Sequence, residues 1–400
     1  MMCAVNPTKV DAWIQTRRDI HAHPELRFEE NRTARLIEER LRHLGYAVES
    51  GIGKTGVVGI LEGRLVSSTP RMIGLRADMD ALPIQERNTF GHASLYPGKM
   101  HACGHDGHVA MLLGAAQELS ETRNFAGKVA LIFQPAEEGG AGAQRMIEDG
   151  LFDRYPCDAV FAMHNWPGLA AGEFAAHSGP VMASSNEFSI TIHAKGAHAA
   201  MPDLGTDPIV IAAQLILGLQ TIVSRVCRPV DPAVLSVTQI NAGEAINVIP
   251  DRAVLKGTVR TFSHDVLDLI ESQLRKISQE LCTAMGARAD VEFHRNYPPT
   301  INDPAMAELA ENALRSITDV TAVHRHLPPT MGAEDFAFML MQKPGAYLWI
   351  GNGTGDHRTV GHGVGPCTLH NPSYDFNDGI LPLGVRAWVA IVEHFLSASV

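Results

Sequence analysis

Val129-Ala-Leu-Ile-Phe133 runs directly into Gln134-Pro-Ala-Glu-Glu-Gly139. An unbroken apolar run of this length is what a strand buried on both faces looks like, and two adjacent carboxylates stand just beyond its end. The same join occurs twice more: Met72-Ile-Gly-Leu75 reaches Asp78 and Asp80, and Ala159-Val-Phe-Ala-Met163 reaches His164. Helical patterns over 109–119 and 141–149, the second stopped by Gly150, separate these runs. Alternating strands and helices predict a mostly parallel sheet covered on both faces. Ligands of such sheets bind beyond the carboxyl ends of the strands, so Asp78, Glu137, Glu138 and His164 are expected along one edge.

Upstream, Asn6-Pro7 reads as an N-cap with proline in the first turn of a helix, and a second helix spans about 29–44 with Gly45 placed to end it. Downstream, the texture changes between about 184 and 295. Phe188, Ile190 and Ile192 alternate along a strand, and a long apolar helix starts at Asp207-Pro208. Strands over 234–240 and 254–262, a helix over 266–285 and a strand over 289–293 follow. The order β-α-β-β-α-β is that of a ferredoxin-like α+β unit. The expected fold class is therefore α/β, with a parallel-sheet domain made of 1–183 and 296–400 and a ferredoxin-like domain, 184–295, inserted into it. The last part is expected to hold helices at 305–317, 334–341 and 381–396, a strand at 347–350, and a loop, 369–377, carrying His370.

Composition narrows the partners. The chain has 400 residues, 45% of them hydrophobic, enough for two cores. Lys and Arg number 33 against 44 Asp and Glu, and no basic block exists to follow a phosphate backbone, which argues against nucleic acid. The longest apolar run, 209–223, is interrupted by Gln214 and Gln220 and falls short of the roughly 20 residues that span a bilayer. Met1 to Asp11 lacks the pattern of a secretory signal. Cys3, Cys103, Cys157, Cys227, Cys282 and Cys367 are scattered without paired spacing, as suits a reducing cytoplasm.

The densest chemistry is His101-Ala-Cys-Gly-His-Asp-Gly-His108. In a loop, Cys103 and His105 can converge on one ion, which they could not do from within a helix. Cys103, His105, Glu138, His164 and His370 together suit Zn, Mn, Co or Ni and are too rich in nitrogen and sulfur for Ca or Mg. Five donors exceed one tetrahedral ion. Two ions sharing a ligand, each with an open position, is the economical reading, and open positions point to catalysis. With Glu138 on metal, Glu137 is placed to take a proton from water and return it to a leaving amine. The pair alone reads equally well as a solvated acidic pair at a helix N-terminus; its place after a buried strand favours function. His101, Asp106 and His108 read as support, helix start and packing. In the inserted domain His198, Asn247 and Arg260 are unremarkable singly, but together would suit a substrate carboxylate, which Arg grips with a planar fork.

Taken in order, these stretches resemble the M20 metallopeptidases, and within them the amidohydrolase branch of hippurate hydrolases, aminoacylases and auxin-conjugate hydrolases. The resemblance covers nearly the whole chain. It is carried by His21-Ala-His-Pro-Glu25, Arg76-Ala-Asp-Met-Asp-Ala-Leu-Pro83, the 101–108 stretch, Gln134-Pro-Ala-Glu-Glu-Gly139, Met163-His-Asn165, Asn247-Val-Ile-Pro250, Gly257-Thr-Val-Arg260, Met331-Gly-Ala-Glu-Asp-Phe336 and Leu369-His-Asn-Pro372. It implies two metals held by Cys103, His105, Glu138, His164 and His370, with Cys103 where other branches have a bridging aspartate. Glu137 would be the general base and acid, and Asp78 would support the metal site. Arg76 stands where other branches carry a metal histidine. The inserted domain would be a lid and dimerisation domain. Its His198 would steady the oxyanion, commonly from the partner subunit, and Asn247 and Arg260 would hold the substrate carboxylate. Ala197 replaces a usual glycine and Asp203 a usual histidine. The expectation is a cytoplasmic, homodimeric or larger two-metal enzyme that hydrolyses N-acyl amino acids to a carboxylate and a free amino acid. A dipeptidase or carboxypeptidase of the same fold is the alternative. A non-catalytic metal- or ligand-binding protein is a weaker one, since it would have no need of Glu137.

Overall fold

The computed structural model describes residues 6–397. It divides into two compact units, one running to Gly179 and adding Ile301–Pro328 and the chain from Asp335 on, the other made of Pro180–Thr300 with Pro329–Glu334.

The first unit is built on an eight-stranded sheet. Its middle is parallel: Gly127–Gln134, Arg71–Asp78, Ala159–Pro167 and Gly345–Gly353 lie side by side, with Leu75 opposite both Leu131 and Phe161. Ile73, Leu75, Val129, Leu131 and Phe161 have no exposed surface, as unbroken apolar runs require of strands covered on both sides. The helices Pro7–Ala22, His105–Thr122 and Leu381–Phe395 pack on one another and on this sheet, enclosing Met111, Leu112, Trp388 and Ile391. Asn6 caps the first helix by accepting from the Thr8 N–H at 3.0 Å. The second, Asn31–His43, is capped from a distance, its first N–H groups donating to the Glu25 carboxylate.

Three local features differ from the sequence expectation. An antiparallel hairpin, Ala47–Ile52 with Gly56–Glu62, extends one edge of the sheet; its turn uses Gly53 and Lys54 at positive φ. The helix expected from 109 begins at His105, directly after Gly104 at φ +87°. The helix expected over 334–341 shrinks to Ala337–Leu340, because the buried Asp335 carboxylate is held in a polar network with Arg76, Gln134 and the Ala143 N–H.

The second unit contains a four-stranded antiparallel sheet in the order Ala233–Ala242, Arg252–Thr261, Ser185–His193, Arg288–Tyr297. Numbered along the chain this is 2-3-1-4, the ferredoxin-like arrangement. Pro208–Thr221 and His264–Ala284 pack on the side carrying Phe188, Ile190 and Ile192, burying Ile211, Leu215, Ile270 and Leu274. With its π-turn extension, Pro208–Val226 is long and apolar enough to cross a membrane by length and composition. However, Ile211, Ala212, Leu215, Leu219 and Ile222 form a buried stripe in this unit's core, while Ile209, Val210 and Leu217 are exposed.

Candidate metal centre

Strand ends, one helix start and one late loop supply the side chains at the carboxyl edge of the parallel strands. Donor atoms of Cys103, Glu138 and His370 lie within 4.8 Å of one another, as do those of His105, Glu137 and Glu138, and those of Asp78, His105, His108 and His164. Cys103 Sγ is 3.4 Å from His164 Nε2, and His370 Nε2 is 3.1 Å from Glu138 Oε1. The five sequence-selected donors thus form one chain of neighbours.

Their outer partners fix which atoms face inward. His105 Nδ1 is 2.8 Å from the Asp80 carbonyl oxygen, so it carries a proton, and Nε2, buried with no hydrogen-bond partner among the described residues, is the atom left to face an ion. His164 repeats the pattern, with Nδ1 2.6 Å from the Asn165 carbonyl and Nε2 turned to Cys103. His108 differs. Its Nδ1 donates to Asp78 at 2.6 Å and its Nε2 accepts the Asn165 N–H at 2.9 Å, so both nitrogens are used and it serves as support.

The turn after Gly127–Gln134 is strained and pinned. Ala136 and Gly139 adopt φ +53° and +74°. The Asp80 carboxylate accepts the N–H groups of Glu137 and Glu138 at 3.0 and 2.9 Å, and Glu30 accepts that of Ala136 at 2.9 Å. Two adjacent carboxylates are thereby aimed by their own backbone. His370 is likewise held at φ +61°, its N–H on the Ala102 carbonyl at 2.8 Å, which ties the late loop to the segment bearing Cys103.

Electrostatics favour a cation here. Burial, then Glu138, Glu137 and Asp78, push the Cys103 thiol well up, so its thiolate needs positive charge close by. Burial opposes charge on His105, yet Asp78 and Asp80 outweigh it and lift the imidazole to about 10. Burial also opposes charge on Asp78, but His105, Arg76 and His108 together hold it well below the usual carboxylate range. The orphaned Nε2 of His105 and the soft, mixed N, S and O donor set fit borderline divalent metals.

Arg76, nearly fully buried, donates to Asp78 Oδ2 at 2.6 Å, Gln134 Oε1 at 2.8 Å and Asp335 Oδ1 at 3.1 Å. It ties two strand ends and the Asp335 segment together.

His198, Asn247 and Arg260 belong to the second unit. His198 pairs with Val248 in a two-stranded ladder, and His198 and Asn247 both line an open groove of about 1260 Å³. Its Nδ1 accepts the Ala200 N–H at 3.1 Å, and its ring is exposed. Arg260, half-buried, donates to the Ser184 carbonyl at 3.4 Å and is not among the residues lining that groove. Ala197 is half-buried in the groove wall, and Asp203 is exposed in the turn Pro202–Leu204.

Residues 74–394 match the family model described as peptidase family M20/M25/M40. The chain belongs to this family. It is 43% identical over 345 residues to the N-acetyl-L-cysteine deacetylase of Bacillus subtilis, covering 86% of this chain and 81% of that protein. To the hippurate hydrolase of Campylobacter jejuni it is 40% identical over 380 residues, 95% of each chain. Among solved structures, a dinuclear metal-binding peptidase of the M20 family from Bacillus subtilis superposes with a TM-score of 0.83 at 32% identity, covering 98% of this chain and 100% of that one. The protein is a metal-dependent amidohydrolase of the M20/M25/M40 family.

Sequence reasoning had no role for several residues that shape this site. Asp80 was visible two residues past Asp78, and the spacing of a strand end with two acids was the available signal. In the sequence Asn165 stands only as the residue after His164, and Tyr374 only as one position of the late loop. Asn165 Nδ2 donates to the Cys103 carbonyl at 2.7 Å and its Oδ1 accepts from Tyr374 Oη at 2.7 Å, a cross-link between segments 209 positions apart that no local pattern reveals.

Proposed function

We propose that this enzyme uses two divalent metal ions to hydrolyse the amide bond of N-acyl amino acids, giving a carboxylate and a free amino acid. The observation that carries the reading is the convergence of Cys103, His105, Glu138, His164 and His370 donor atoms with the Glu137 carboxylate beside them. These five residues would hold the ions, with Mn, Zn, Co and Ni suited to the donor set. When bound, the ions supply Lewis acidity, polarising the amide carbonyl and making water easier to deprotonate. Glu137 takes the proton from the attacking water and delivers it to the amine nitrogen as the C–N bond breaks. Asp80 keeps Glu137 and Glu138 aimed apart through their backbone N–H groups. Asp78, locked between Arg76 and His108, keeps the His105 side of the site anionic.

His198 steadies the oxyanion, and Asn247 with Arg260 holds the α-carboxylate. Support comes from the exposed ring of His198 beside Asn247, and from Arg260, whose cost of half-burial is set against a nearby Glu187. In this reading 184–295 acts as lid and dimerisation domain of a cytoplasmic homodimer or larger homo-oligomer. The exposed apolar Ile209, Val210 and Leu217 on one helix support self-association.

The test is a substrate panel on protein stripped and reloaded with each metal: N-acetyl, N-benzoyl and N-indolylacetyl amino acids against dipeptides. Release of amino acid from the N-acyl compounds is expected. Turnover of dipeptides alone would instead assign a dipeptidase or carboxypeptidase. Glu137→Gln should lower kcat by about 10²–10⁴-fold at unchanged metal content; an unchanged rate would remove Glu137 from the mechanism.

A further inference from the structure

Trp166 follows His164 by two residues on the strand Ala159–Pro167, so the two side chains leave the same face of the sheet. Their rings meet edge to face with centroids 6.2 Å apart. One face of the Trp166 indole lies flat on Trp349, at 4.2 Å and 11°, and His177 abuts Trp349 edge-on at 5.6 Å. Trp349 is buried, whereas Trp166 is only partly so. Because Trp349 covers one face of Trp166, the exposed part is the opposite face or the edge. The result is a flat apolar surface, stiffened from behind, that begins at the ring of a proposed metal ligand.

A stack of two indoles serving only the core would be expected to bury both. Here the buried member carries the packing, and the partly open member is held in one orientation with almost no rotamer freedom left to lose on binding. The ring neighbours of Trp166 among the described residues are Trp349 on one face and His164 at the edge. An amide carbonyl seated beside His164 therefore has an aromatic wall within one ring's width, and the substituent that wall accepts is a flat one.

We propose that Trp166, backed by Trp349, determines specificity for the acyl group, selecting flat aromatic acyl groups such as benzoyl over acetyl. The inference rests on the N-acyl amino acid reading above and commits it to an aromatic acyl class.

The experiment compares kcat/KM for N-benzoylglycine and N-acetylglycine, which share the amino acid, in metal-loaded wild type, Trp166→Leu and Trp166→Phe. Inhibition by benzoate and by acetate, and metal content, are measured alongside. The wild type should prefer the benzoyl substrate. In Trp166→Leu the benzoyl-to-acetyl ratio should fall about tenfold, mainly through KM, as expected for loss of one aromatic stacking contact and its buried area. Benzoate inhibition should weaken by a similar factor at unchanged metal content. Trp166→Phe, which keeps a ring, should retain the ratio within about threefold. A parallel fall for both substrates, or a fall that follows the amino acid side in N-acetylphenylalanine against N-acetylglycine, would overturn the assignment while leaving the functional reading intact. A wild type that turns over none of these compounds would overturn both.

Discussion

Replacing Asp80 by Asn removes one negative charge at a point where a single buried carboxylate fixes the backbone of two proposed active-site residues. Asp80 is 1% exposed and accepts the Glu137 and Glu138 N–H groups at 3.0 and 2.9 Å, one on each oxygen. An amide has one acceptor; its NH₂ would face the other N–H, leaving a buried donor unpaired. Hydrogen bonds to a charged group contribute about 1.5–3 kcal/mol, so the turn should lose about that much of its hold on Glu138. Loss of an outer partner typically weakens metal binding about 10–100-fold. At 1.4 kcal/mol per factor of ten this is about 1.4–2.8 kcal/mol, so the two routes agree. The fold should survive, because Glu30 still accepts the Ala136 N–H at 2.9 Å. Calorimetric titration of the stripped protein with Mn or Zn measures the affinity directly, and the metal-induced rise in Tm should shrink accordingly. An unchanged affinity in a properly folded Asp80→Asn protein would refute the idea that this carboxylate aims the ligand.

Two further perturbations probe the supports behind the donors. Gly104→Ala should lower Tm and metal content together, because its Cβ would stand 2.3 Å from Asn165 Nδ2 and 2.4 Å from Tyr374 Oη at φ +87°. Gly98→Ala, at φ +78° with open space around it, is the control, and should cost only the roughly 1–2 kcal/mol of the left-handed conformation; equal damage from both would mean that the Asn165–Tyr374 contact is not what Gly104 protects. The second concerns pH. Burial disfavours charge on His21, but Asp106 at 2.8 Å and Glu86 at 3.2 Å outweigh it and lift the imidazole from 6.5 to about 10. A raised folded pKa stabilises fully below the unfolded value, so this contribution is complete below about pH 6.5 and fades as pH climbs towards 10. Chemical denaturation from pH 6 to 10 should therefore show falling stability that flattens in His21→Gln; an identical slope in the variant would remove His21 as the cause.

What the sequence made legible, and what it hid, follows from how far each constraint reaches along the chain. Strands covered on both faces announce themselves within five residues, so the join between apolar run and acid pair is enough to put Glu137 and Glu138 just beyond a strand end, where the structure has them. The alternating pattern of Phe188, Ile190 and Ile192 likewise exposed the ferredoxin-like unit, since one face of an antiparallel sheet imposes a period of two. Neither signal reaches the buried charges that hold the helix His105–Thr122 in place. Arg17, on the first helix, contacts Asp106 at 3.4 Å, Asp375 at 3.0 Å and Asp378 at 2.7 Å, and it has no exposed surface. In sequence it is one arginine on a helix, with nothing to separate it from Arg18 beside it, whose side chain is 42% exposed. The difference arises only when the loop after Gly353 brings two aspartates back across some 360 positions. The expected helix over 334–341 fails for the same reason. Local propensity favours it, but Asp335 is held by Arg76 and Gln134 from distant strands, and charge-assisted contacts in a buried site outweigh a turn of helix. Candidate metal donors stand out in the sequence because their chemistry is rare; the residues that hold them escape it because they are ordinary residues made significant by long-range contact.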